Sequence, residues 1–380
     1  MRTLLRAVAG LCGPLLLLIL IARSAGPLFS DGVLAFAIST GGPLNVAVMD
    51  RATGLVYMAG DPAFANYHPS WSPDGRWLSF KSITERTSAR SERGFVVLDM
   101  HTGQSFTTRG FSDGDFSWAP DSQHMVYYDT TRLYLLHIAT EKSVALVRNA
   151  NSAPAGYAWA PDGSTVSYVV AGNRLQSVPV YAHDIATRED IHLTDIDRYN
   201  TLHRWSPDGR YILFDDGAIP DTLPSQLLDI ERGTLTEPNM PRNAWAHVWS
   251  PDSSEITYII ENGTERSSFI TYRYALATDE AHPERNLPLN GFQTPYWSSN
   301  GRYIARYKSD GSFTVVVADV QTGATSTHEQ IRFMRWHPDG EHMLLGNDSG
   351  SVALVSAVDG AAEPVPLPPG AIVNSLAWQP

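Results

Sequence analysis

Cysteine is almost missing from this chain: there is one in 380 residues, Cys12, inside an apolar stretch near the start. Beyond that stretch no disulfide can form and no thiolate is available to a metal. Charge is sparse too, at 18% Asp, Glu, Lys and Arg. Acids outnumber bases 40 to 28, a net charge of −12. That balance excludes nucleic-acid binding through clustered Lys and Arg. The 12 histidines contain no H-x-H, no H-E-x-x-H and no other metal-ligand spacing, so the sequence predicts no metal and no cofactor. Aromatic and β-branched residues, by contrast, are plentiful, and Gly and Pro are spread evenly. That mixture describes an all-β chain rich in turns.

The start of the chain has its own character. Arg2 and Arg6 precede an apolar run from Ala7 to Ala22 that contains "LLLLILI". This is the layout of a secretory n-region and h-region. The run is short of the roughly 20 residues that a spanning helix prefers. Ala22 and Ser24 supply small residues for a cleavage after Ser24. Residues 1–24 thus read as a signal peptide or as an uncleaved signal-anchor, an N-terminal apolar helix, and both remain open. Leu11 before Cys12 is too large for a lipoprotein signal. The two arginines favour a cytoplasmic N-terminus. The remainder is expected outside the cytoplasm, in a periplasm or at the cell surface, secreted or anchored.

Internal repetition sets the architecture. The strings "WSPDGRWLSF" from Trp71, "WAPDSQHMVYY" from Trp118, "WAPDGSTVSYVV" from Trp159 and "WSPDGRYILF" from Trp205 share one pattern. So do "WSPDSSEITYII" from Trp249, "WSSNGRYIARY" from Trp297 and "WHPDGEHMLLG" from Trp336. The intervals between these tryptophans run from 39 to 48 residues, with 42 more to Trp378. An apolar segment recurs further along several units: "FVVLDM" (95–100), "LYLLHI" (133–138) and "VVVADV" (315–320). Some of these end in an Asp with Thr-Gly just beyond. Each unit therefore predicts four strands: one ending at the Trp, one after Pro-Asp-Gly, the apolar one and a weaker last one. Pro-Asp-Gly is turn chemistry, with Pro fixing φ and Gly allowing φ > 0. Four-stranded units of this length are propeller blades.

The two ends of the chain complement each other. "DGVLAF" (31–36) has no Trp-x-Pro before it, and "WQP" (378–380) has nothing after it. Joined, they spell a repeat, and residues 378–380 followed by 31–70 make a unit of 43 residues. The expectation is an eight-bladed β-propeller over 31–380, closed by a composite blade of the C-terminal strand and three N-terminal strands. Residues 25–30 are a connector.

The repeat resembles the TolB-like family of propeller repeats, whose signature is a strand, W-S-P-D-G and an apolar strand. Trp71 to Gly75 and Trp205 to Gly209 match it in full, and "WSSNG" at Trp297 departs from it. The resemblance implies a β-propeller that is exported and serves as a binding platform. It does not imply the function of TolB itself, because no α/β domain precedes the repeats. Prolyl-oligopeptidase-type peptidases carry similar propellers, but they append a hydrolase domain for which no residues remain here. One G-x-S-x-G string, "GFSDG" (110–114), lacks the strand-to-helix context of a nucleophile elbow and reads as chance.

Chemistry is harder to find. The aspartates Asp74, Asp162, Asp208 and Asp339 read as turn residues that bond nearby backbone N–H groups. The tryptophans in register read as packing between blades. Asp113-Gly-Asp115, Asp195-Ile-Asp197 and Asp215-Asp216 lack full calcium-loop spacing. A partner is expected at the blade ends opposite the Pro-Asp-Gly turns, where each chain segment enters its Trp strand. Those positions hold Tyr67, His68, Asp115, Tyr157, His203, Trp245, His247, Gln293, Arg332 and Asn374. The longest second-to-third-strand loops, 82–94, 215–224 and 261–268, open on the same side. Loops on a rigid scaffold are where binding usually resides. The leading expectation is a non-enzymatic protein-interaction module with protein partners, membrane proteins among them, as a subunit of an envelope complex. The alternative is an enzyme or a binder of a small ligand, metal or cofactor, with its site in the central mouth.

Overall fold

The structure is a computed structural model. It describes residues 32–39, 42–84, 93–109, 116–128, 132–146, 154–170, 177–197, 202–215, 224–261, 269–284, 295–308, 313–347 and 349–379. The expected N-terminal helix, residues 1–24, and the connector fall outside these residues. No helix among the described residues is long and apolar enough to cross a membrane.

Among the described residues thirty-two strands form eight four-stranded sheets, seven of them in sequential order, the blades of a β-propeller. The Trp71 blade shows the plan. Its strands are Phe64–Trp71, Trp77–Thr84, Arg93–Asp99 and Ser105–Arg109. Its first strand ends at the repeat Trp, and the Pro-Asp-Gly turn leads into the second. The apolar segment is the third strand; it begins two residues earlier than its hydrophobic run, because Gly94 and Arg93 continue the ladder opposite Ser82 and Ile83. The Trp118, Trp159, Trp205, Trp249, Trp297 and Trp336 blades repeat this order.

The remaining sheet joins the two ends of the chain. Val33–Ile38 (β1), Asn45–Asp50 (β2) and Val56–Met58 (β3) are completed by a fourth strand, Ala371–Trp378, beside β1. Leu34 lies opposite Trp378 and Ala35 opposite Ala377. The Gln379 N–H continues the ladder to Val33 O at 3.0 Å. All six residues of β1 are buried. A strand covered on both faces has no polar side, and "VLAFAI" accordingly shows no alternation.

The described chain divides into two compact units. One comprises residues 1–145, 349–353 and 364–380, and the other 146–348 and 354–363. In the first, Val33, Ala35, Val46 and Val48 of the composite blade pack with Trp71, Leu78, Phe80 and Leu98. A second cluster there joins Phe95 and Val97 to Trp118, Met125 and Leu136 of the following blade. In the second unit, Val169, Val178 and Val180 pack with Ile212, Phe214 and Leu228. Leu213 and Leu227 pack in turn with Trp249, Ile256 and Tyr258. Each core is thus shared between one blade and the next.

Six of the repeat tryptophans also carry polar ties, whereas the buried Trp159 Nε1 has none. Trp118 Nε1 donates to Ser79 Oγ at 2.9 Å, Trp205 Nε1 to Ser167 Oγ at 2.8 Å, and Trp297 Nε1 to Thr257 Oγ1 at 3.0 Å. Trp71, Trp249 and Trp336 donate instead to the carbonyls of Ala377, Arg204 and Tyr296. In every case the acceptor belongs to the preceding blade. A buried indole N–H needs such a partner, and supplying it costs the neighbour only a small hydroxyl or a carbonyl.

Candidate functional site

The two ends of a blade differ in kind. At the turn end the repeat motif is occupied with itself. Asp74 Oδ1 accepts the Ser72 hydroxyl and the Arg76 N–H, while Ser72 Oγ accepts the Trp77 N–H at 2.9 Å. Gly75 takes a φ of +68°, the left-handed value this turn demands, and has the Gln379 side chain against it. The Arg76 guanidinium reaches Asp99, at the end of the third strand, at 2.7 Å. Asp99 also accepts the N–H groups of His101 and Thr102. The same arrangement recurs at Ser206, Asp208, Arg210 and Asp229, and at Ser298, Asn300, Arg302 and Asp319. Burial works against the Asp99 charge, but the Arg76 contact and the backbone donors prevail and hold its carboxyl below the ordinary range. Asp74 N–H donates to Ser122 Oγ in the next blade, and Asp208 N–H to Ser253 Oγ. These aspartates are turn residues.

At the opposite end the first strands are irregular. In the Trp71 blade Tyr67 pairs with Lys81 and Ser70 with Ser79, so His68 and Pro69 together face one residue. In the Trp249 blade Trp245 pairs with Ile259 and Val248 with Thr257. These are β-bulges, and their first residues, His68 and Ala246, sit at φ +53° and +55°. Single-residue shifts occur beside Gly156 and Phe333 as well. A bulge turns the side chains that follow it to a new direction.

That displacement decides where the expected binding residues lie. His68 and Arg332 are exposed, and Tyr67, Tyr157 and Trp245 are half-buried. Tyr67 and His68 meet edge to face, with ring centres 5.1 Å apart. The Arg332 guanidinium lies over the Phe313 ring, and Trp245 meets Phe269 edge on. His203 and His247, however, are buried, at 6% and 0% exposure. Tyr67 and His68 also stand inside a strand that begins at Phe64, not at its entrance. Asn374 is within the last strand, Ala371–Trp378. Asp115, Gln293 and "GFSDG" lie outside the described residues, as do most of the three long loops.

The two buried histidines anchor a polar cluster in the second unit. His203 Nε2 is 2.9 Å from Ser167 Oγ, the same hydroxyl that accepts the Trp205 indole. His247, on the far side of its bulge, places Nδ1 3.3 Å from Asp215 Oδ2 and Nε2 3.3 Å from Ser225 Oγ. Asp215 is also ion-paired with Arg204. Burial acts to raise the Asp215 carboxyl, but His247 and Arg204 outweigh it and hold it below the usual carboxylate range. Asp215, His247 and Ser225 thus stand in the order of contacts of a catalytic triad. The set was not legible in sequence, because Ser225, just before the strand Gln226–Asp229, and His247, in the strand Trp245–Trp249 of the next blade, are brought to Asp215 by the fold. Among the described residues no group of three or more His, Cys, Asp or Glu is placed to hold a metal ion.

No family model matches the chain. An uncharacterized protein of Agrobacterium fabrum is 30% identical over 153 residues, 38% of this chain and 49% of that protein. The chain therefore matches about half the length of that curated relative. Among solved structures, it is similar to an oligogalacturonate lyase from Vibrio parahaemolyticus, with a TM-score of 0.59, 12% identity, and coverage of 86% of this chain and 97% of the lyase. The dihydro-heme d1 dehydrogenase NirN overlays with a TM-score of 0.64 at 14% identity, over 92% of this chain and 77% of NirN. TolB from Acinetobacter baumannii is also found, at a TM-score of 0.41 and 15% identity, over 80% and 83% of the two chains. At such identities the better overlays define the class of fold, a β-propeller, which serves enzymes and binding proteins alike.

Proposed function

We propose that this chain is an exported or membrane-anchored β-propeller that acts as a non-enzymatic protein-interaction module of the cell envelope. The observation that carries this reading is the residue set at the blade ends opposite the turns. Tyr67, Tyr157, Trp245 and Arg332 are half-buried or exposed there, and bulges lie within two residues of each. Tyr, Trp and Arg are the residues that dominate protein interfaces: the two aromatics combine large contact area with few rotamers to fix, and Arg adds a planar fork of hydrogen-bond donors. The turn ends, in contrast, direct their polar groups to the turn itself and to the neighbouring blade. The apolar N-terminal segment and the acidic composition fit delivery outside the cytoplasm.

The test is photocrosslinking in the intact envelope. A benzophenone amino acid is placed at Tyr67, Tyr157 or Arg332, and for comparison at Ser164 or Glu341 on the turns. The reading expects a discrete protein adduct from the first set that is absent from the second. Adducts from both sets alike, or from neither, overturn it.

An enzymatic reading has one observation in its favour, the Asp215–His247–Ser225 set. Its members are all less than a tenth exposed, and His247 is sealed, so we read it as a brace between two blades. A fluorophosphonate probe is expected to leave Ser225 unlabelled in the folded protein. Stoichiometric labelling, lost in Ser225→Ala, would replace the binding module with a hydrolase.

A further inference from the structure

A lapse in the repeat opens a hollow at the turn end of the Trp249 and Trp297 blades. Six residues after the repeat Trp, three of the seven internal copies carry a large aromatic, Trp77, Tyr211 and Tyr303, two carry His124 and His342, and two carry Thr165 and Glu255. The large aromatic, where present, packs against the Trp of the next blade. Tyr211 lies nearly parallel to Trp249, with ring centres 6.2 Å apart, and Tyr303 to Trp336 at 6.1 Å. Trp77 joins the cluster around Trp118. The Trp249 blade puts Glu255 at this position, so no such ring stands beside Trp297. Arg273 takes part of its place, with its guanidinium 5.8 Å from the Trp297 ring centre and its Nε 2.7 Å from Glu255. A second lapse adjoins the first, since Ser299-Asn300 replaces Pro-Asp in the next turn.

The space left is a hollow of about 560 Å³ with a mixed lining. Trp297, Pro251 and Val320 give it an apolar side. Gln321 offers a planar amide and Asn300 its NH2 group, the Asn300 oxygen being held by Ser298 and Arg302 in the turn. Arg273 is shared between Glu255 and Glu284, and Asp252 adds a further carboxylate to the lining. We infer that this hollow is a binding site for a neutral saccharide. An aromatic surface accepts the C–H face of a pyranose ring, while amides, a guanidinium and carboxylates hydrogen-bond its vicinal hydroxyls. Two carboxylates against one guanidinium disfavour phosphates and uronic acids. The site is distinct from the protein-docking ends of the blades and stands or falls without them.

The experiment uses the full chain in a non-glycosidic detergent, with binding read by saturation-transfer NMR and titration calorimetry. The probes are maltohexaose, cellohexaose and chitohexaose, with hexagalacturonate as the acidic comparator. Saturable binding of at least one neutral probe, with the acidic one bound more weakly, is expected. Binding of the glucans points to a soluble glucan as the source, and binding of the N-acetylated probe to a cell-wall glycan. Glu255→Tyr introduces the aromatic found in the Trp71, Trp205 and Trp297 blades and fills the hollow. It is expected to keep or raise the melting temperature while abolishing binding. Gln321→Ala, at an exposed position, should weaken binding roughly tenfold with no change in melting. No binding by any neutral probe, preference for the acidic one, or unchanged binding in a folded Glu255→Tyr protein overturns the inference.

Discussion

Asp339 shows what a single turn carboxylate contributes. Its Oδ1 accepts the N–H groups of Glu341 and His342, and its Oδ2 lies 2.9 Å from His337 and 2.8 Å from His342. Partial burial acts against the charge, but the backbone donors and both imidazoles overcome it and bring the carboxyl down to about 2. Because the folded value lies below the ordinary one, the stabilisation is complete above about pH 4 and is lost as pH falls toward 2. Asp99 and Asp319 are depressed in the same direction. The melting temperature should therefore be flat near neutrality and fall steeply below about pH 4, and Asp339→Asn should flatten part of that fall. Calorimetry across the acid range measures it. At Asp215 the stakes are larger, since removing the carboxylate strands Arg204 and the sealed His247. Asp215→Ala should cost roughly 3 kcal/mol in urea denaturation, against about 1 kcal/mol for Ser225→Ala. Equal effects would mean that the ion pair contributes no more than the hydroxyl.

Among elements, the tight turns were legible and the bulges were not. Pro-Asp-Gly encodes its turn within five residues, so the blade boundaries at Trp71, Trp205 and the rest follow from local chemistry. The completion of β1 by the last strand was legible too, from the complementary half-motifs at Trp378 and Asp31. A bulge depends on what the partner strand offers, and nothing in "NYHPSW" or "NAWAHVW" marks His68 or Ala246 as left-handed. His247, in such a bulge, is buried although expected at an open end, and His203, in a regularly paired strand, is buried as well. The change beside Trp297 was legible in principle: the column six residues after each Trp reads Trp77, His124, Thr165, Tyr211, Glu255, Tyr303 and His342, and Glu255 is its one carboxylate. The composite sheet makes a prediction of its own. Deleting residues 371–380 unpairs β1, whose Leu34 and Phe36 are wholly buried, and removes the Trp71 and Gly75 contacts to Ala377 and Gln379. The truncated chain should melt roughly 10 °C lower or fail to fold, as followed by circular dichroism. Melting at the full-length temperature would show that the strand is dispensable.

For the molecule as a whole, the acidic surface, the single cysteine and the repeated blades describe a protein whose cohesion comes from neighbour-to-neighbour packing, without covalent clamps. One contact sets this pattern in time. The Trp71 indole reaches Ala377 across 306 residues, and the sheet of Val33–Ile38 takes its fourth strand from Ala371–Trp378. Synthesis is vectorial, so Val33–Ile38, wholly apolar, is made well before its partner and pairs only once Ala371–Trp378 has followed. Until then the earliest strands wait with an open ladder edge, the kind of species that aggregates or recruits a holdase. Ribosome-bound chains halted before Ala371 should be cut by protease within residues 33–58, and released full-length chains should resist. In this fold the sheet begun by Val33–Ile38 stays unfinished while seven other blades are made, and quality control of the nascent chain falls on that interval.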